Sequence, residues 1–101
     1  MSHYHWLEKH LPKLFKDLGL NWENNKGIIS CHGDKCYSYR SIFEKNNIPF
    51  EHGVAIYLLT YVSPFEKETR RTVNGWVDPC KWIINNYNRF KPFLPDVNQK
   101  R

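Results

Sequence analysis

No stretch of about eighteen apolar residues occurs in this chain, so no membrane-spanning helix is expected. The first residues, Met1-Ser2-His3-Tyr4-His5-Trp6, lack a basic segment leading into an apolar one, and a secretory leader is not expected either. Cysteine is scarce: there are three, an odd number, where a small secreted disulfide scaffold carries more and an even count. A reduced, cytoplasmic or otherwise intracellular protein is the expectation. There is no glycine-rich phosphate loop, no nucleophile elbow and no paired metal-binding histidine motif. Internal repeats, low-complexity segments and Lys/Arg runs are missing as well. Together these absences remove the motif-borne enzyme classes, and catalysis is not expected.

What is present is aromatic and basic. Six Phe, six Tyr and four Trp join a hydrophobic share of 41%, enough to fill one compact core. At 101 residues two independent cores would each be too small, so a single domain over 1–95 is expected, with a frayed basic tail at 96–101. The net charge is +5, which favours acidic partners such as nucleic acid. Its distribution tempers this, since only 72–101 leans clearly basic.

Periodicity predicts a helix over 4–18: Leu7, Leu11, Leu14, Phe15 and Leu18 recur at steps of three and four. Gly19 is a natural stop in the left-handed conformation. Pro12 either kinks this helix or opens a second one. Gly27–Cys31 and Cys36–Phe43 read as two short strands joined by a turn at His32-Gly33-Asp34-Lys35, with a helix over 39–46 as the alternative for the latter part. Val54–Val62 is the most hydrophobic stretch and must be central. It is apolar all round, so periodicity cannot separate strand from helix, and its β-branched and aromatic residues favour strand. Thr69–Val77 reads as another strand. Asp78-Pro79 marks a helix start, an N-cap followed by proline at the first helical position, and the helix runs through Trp82, Ile83, Tyr87 and Phe90 to stop before Pro92. The expected fold is therefore α+β: an N-terminal helix, an antiparallel sheet of about four strands, and a C-terminal helix packed on one face.

Four site chemistries follow from the residues. Cys31, His32 and Cys36, with Cys80 or His52 to complete a set, carry metal-ligating atoms, but their spacing lacks the second close pair that structural zinc uses. His3, His5 and His10 are better explained as a solvated helix face. For a Cys–His nucleophile, Cys31 and His32 are sequence neighbours whose side chains would point to opposite faces of a strand. Cationic and aromatic residues interleave at Lys35, Tyr39, Arg40, Arg70, Arg71, Lys81 and Arg89, the combination that stacks bases and neutralises phosphates. Trp6, Trp22, Trp76 and Phe93 are the candidates for a protein interface. The leading expectation is a non-catalytic domain that binds nucleic acid or serves a nucleic-acid-processing enzyme as accessory subunit. A protein-binding inhibitor or adaptor is the runner-up, and a small zinc-stabilised module comes third. No cofactor is expected beyond that zinc.

Overall fold

The computed structural model describes residues 4–70 and 78–97. Every regular element among them is helical: α1 (Tyr4–Asp17), α2 (Ile28–His32), a 3-10 stretch (Gly33–Tyr39), α3 (Arg40–Lys45), α4 (Phe50–Leu59), α5 (Phe65–Arg70), α6 (Pro79–Phe90) and a final 3-10 turn (Lys91–Phe93). The expected α+β class is thereby overturned: no strand occurs among the described residues.

Helix α1 forms as its apolar stripe requires. Leu7, Leu11, Leu14 and Phe15 are buried, while Glu8, Lys9, Lys13 and Lys16 face outward. It passes through Pro12 as one helix. The backbone carbonyl left without its usual donor belongs to Glu8, at an exposed position where water can serve it. Gly19 ends the helix at φ +77, with Leu20 N donating to Phe15 O at 2.8 Å and Gly19 N to Lys16 O at 3.1 Å. These two bonds make a Schellman cap.

The same device closes α3 with asparagine in place of glycine. Asn47 takes φ 62, Ile48 N donates to Phe43 O at 2.9 Å, and Asn47 N to Glu44 O at 3.1 Å. Pro49 follows, where no helix can continue backward through it. The segment read as a second strand thus divides into a 3-10 stretch and α3, in line with the helical alternative for 39–46. The supposed hairpin turn at His32–Lys35 is a helix-to-3-10 junction, and Gly33 sits there at an ordinary helical φ of −58.

Helix α4 is the centre of the molecule. Phe50 and His52 through Leu59 are all buried, and α1, α2, α3 and α6 pack around it. Burial on every face, rather than strand geometry, is what its unbroken apolar run encodes. Gly53 permits a close approach of α3: the Phe43 ring lies where a β-carbon at position 53 would stand.

Helix α6 begins as its sequence dictates. Asp78 accepts a hydrogen bond from Cys80 N at 3.1 Å, with Pro79 in the first turn. Trp82, Ile83 and Phe90 enter the core, and Phe90 and Trp82 meet Phe65 of α5 with ring centroids 5.2 and 6.2 Å apart. Thr69 secures α5 from within: its hydroxyl lies 3.3 Å from Thr60 O and 3.1 Å from Glu66 O. Of the strand expected over Thr69–Val77, Thr69 and Arg70 are helical and 71–77 lie outside the described residues.

Candidate functional site

Three of the seven residues expected to bind nucleic acid, Tyr39, Arg40 and Arg89, are engaged with the protein itself. Arg40 bonds Glu44 one turn on at 3.2 Å and covers the Phe50 ring at 4.8 Å. Arg89 makes a forked pair with Glu68, at 3.0 and 3.2 Å, and lies 5.0 and 5.2 Å above the rings of Phe65 and Phe90. Tyr39 is half-buried, edge-on to Phe43 and Tyr57 at 6.1 and 5.9 Å, and burial raises its hydroxyl pKa. Lys35 and Lys81 are exposed. The Arg70 side chain, Arg71 and Trp76 lie outside the described residues.

The sulfur candidates diverge in environment. Cys36 is fully buried, its thiol donating to Gly33 O at 2.9 Å, and burial pushes its pKa up to about 12. Burial thus works against the thiolate that a nucleophile requires. Cys80 is buried near the start of α6, and its pKa is raised chiefly by burial. Cys31 is exposed. His32 stacks flat on Tyr61, with centroids 3.7 Å apart and planes 6° from parallel. Among the described residues no group of three His, Cys, Asp or Glu could share a metal ion.

Of the interface candidates, Trp22 is half-buried, edge-on to Phe15 at 5.1 Å, and Phe93 is 38% exposed. Trp6 is half-buried too, and it adjoins two histidines. Its ring stands 4.7 Å from His10 and 5.6 Å from His52.

His52 is where α4, α6 and the C-terminal segment meet. It is 4% exposed, with Nδ1 2.9 Å from the Tyr87 hydroxyl and Nε2 2.7 Å from the carbonyl of Pro95. A carbonyl only accepts, so Nε2 carries the hydrogen; in the neutral ring Nδ1 is then bare and Tyr87 donates to it. Burial lowers the His52 pKa, partly countered by the Pro95 bond and by the carboxylates of Asp96 and Glu51. Burial, with a contribution from Lys9, also lowers that of His10.

Two adjoining hollows flank this junction. One, of about 480 Å³, is lined by Asn47, His52, Tyr87, Lys91, Leu94 and Asp96 among others. The second, of about 430 Å³, is lined by His5, Trp6, Lys9, His10, Pro95 and Asp96 among others. Asp96 and Val97, which fall in the tail expected to fray, are walls of both. Lys9 and Lys91 form no ion pair among the described residues. Sequence reasoning missed this site. It named His52 only as a fourth metal ligand and read His5 and His10 as a helix face, although a histidine opening the most apolar segment of the chain was the signal that something polar must meet it in the core.

Comparison with family models, with curated proteins and with solved structures finds no match for this chain. No helix among the described residues is long and apolar enough to cross a membrane.

Proposed function

We propose that this chain is a non-catalytic binding domain for nucleic acid and that it holds a single strand at the end of the molecule where α1, α6 and the C-terminal segment meet. The observation that carries this reading is the convergence of cations and aromatic rings on two adjoining hollows, where Lys91 Nζ lies 5.9 Å over the Tyr87 ring. Lys9 and Lys91, with His5 and His10, stand beside Trp6 and Tyr87. Cations that track phosphates between rings that stack bases are what sequence-tolerant strand binding requires. The net charge of +5 supports it, and Lys35 and Lys81 remain available to extend the contact. Arg40, Arg89 and Tyr39 are left out of this contact, since they lie away from the two hollows' walls and are engaged within the protein.

The test is fluorescence anisotropy of labelled single-stranded DNA, duplex DNA and RNA, at low and physiological salt. Counterion release makes log K fall by about 0.7 per phosphate contact for each tenfold rise in salt on single strands. Lys9→Ala combined with Lys91→Ala is therefore expected to flatten the slope by about 1.4. Absence of binding at low salt would remove the reading.

A second reading rests on a different surface. Tyr37 and Ile42 are 47% and 39% exposed on the consecutive 3-10 stretch and α3, large apolar side chains of the kind that anchor protein interfaces. An adaptor using them would bind its partner with little salt dependence and lose it on Tyr37→Ala.

A further inference from the structure

The His52–Tyr87 pair faces a hollow whose other polar walls are Lys91, Asn47 and Asp96, and the hydrogen-bond arithmetic gives it two states. With His52 neutral, Tyr87 spends its hydroxyl hydrogen on Nδ1 and offers the hollow only acceptor lone pairs. With His52 protonated, Nδ1 itself carries a hydrogen and donates to the Tyr87 oxygen. The bond to Pro95 O persists, and the hydroxyl hydrogen must turn elsewhere. Tyr87 is itself a wall of that hollow. The charge changes in step. Protonation of the ring adds one positive charge to the wall of the hollow, beside Lys91.

We infer that this hollow is a proton-gated oxyanion site, which takes a sulfate- or phosphate-like group when His52 is protonated and releases it when His52 is neutral. The anion would accept from the turned Tyr87 hydroxyl, from Lys91 Nζ and from the Asn47 amide. Asp96 also lines the hollow, and a carboxylate there opposes the anion that the imidazolium attracts. The remaining charged or titratable neighbours are Glu51, beside His52 on α4, and His5, Lys9 and His10 of α1, which reach the junction from the second hollow past Trp6. The lowered pKa of His52 fits a ring that stays neutral at neutral pH without a ligand. Linkage then requires an anion that prefers the imidazolium to raise the His52 midpoint, by about one pH unit at saturation for an approximately tenfold preference.

The measurement is an NMR titration of the His52 ring between about pH 4.5 and 8, in sodium sulfate and in sodium chloride of equal ionic strength. Sulfate is a suitable probe because it keeps its charge across that range. The site requires a higher His52 midpoint in sulfate and loss of the difference in Tyr87→Phe, which keeps the ring but removes the donor. It also requires Asp96→Asn to tighten sulfate. Equal midpoints in the two salts, an undiminished shift in Tyr87→Phe, or weaker sulfate binding by Asp96→Asn would each overturn it. Two oligonucleotides, one with a 5′-phosphate and one with a 5′-hydroxyl, identify the source of the anion. A midpoint raised by the phosphorylated strand alone assigns the site to a strand end, and one raised by sulfate but by neither strand assigns it to free anions. The second outcome leaves the oxyanion site standing while the nucleic-acid reading fails, so the two are separable.

Discussion

At position 53 the ring of Phe43 occupies the space a β-carbon would fill, so the smallest side chain is required there although φ is unremarkable. Alanine normally favours a helix over glycine by about 1 kcal/mol. Here the overpacking should win, and Gly53→Ala is expected to destabilise the fold by roughly 1–3 kcal/mol in urea denaturation. Adding Phe43→Leu should recover part of the loss. His52 makes a second prediction at this scale. Its folded-state midpoint lies below the ordinary 6.5, so below that pH the unfolded chain binds the extra proton more readily. The stability due to the neutral ring is complete above about pH 6.5 and is lost as the pH falls through the folded midpoint. Urea midpoints measured across that range should fall toward acid, and His52→Gln should flatten the fall, leaving the dependence that His10 contributes in the same direction.

Among the elements, α4 concentrates the burial. Ile56 and Leu58 are fully buried within it, and Ile56→Ala or Leu58→Ala should each cost about 2–5 kcal/mol. A small change at both would mean that α4 is not the core. At α6, Asp78→Ala should cost about 0.5–2 kcal/mol by freeing the Cys80 amide from its cap. These helices also show what could be read in advance. Helix α1, its stop at Gly19 and the start at Asp78-Pro79 were legible, because amphipathic spacing and end-capping residues act locally. The central location of Val54–Leu59 was legible as well, but its helical form was not: a segment buried on every face has no polar phase to reveal its period. The hairpin assigned to 27–43 failed for another reason. Gly33-Asp34 suits a tight turn, and Tyr/Ser alternation mimics a strand, yet a 3-10 stretch accommodates both. Asn47, ahead of Ile48-Pro49, caps α3 at positive φ. The site was less legible still, since Trp6, His52, Tyr87 and Lys91 come from three helices and the turn after the last, and no local spacing relates them.

For the molecule as a whole, the aromatic surplus is spent inward. Phe65, Trp82 and Phe90 form one cluster, and Tyr39, Phe43, Phe50 and Tyr57 form a chain of rings through the centre. Phe90 joins α5 to α6 in that cluster, and Phe90→Ala is expected to cost about 3–5 kcal/mol. The corrected fold class has its own check: far-UV circular dichroism should show a helix-dominated spectrum, and a strand-dominated one would overturn the architecture described above.

The three thiols differ in reach, with Cys31 at the surface and Cys36 and Cys80 enclosed. In the folded protein a maleimide reagent should therefore attach at a single position, and the other two should react only once the chain opens. The protein thus comes with one native point for a fluorophore or spin label, and its two slow thiols serve as internal reporters of unfolding.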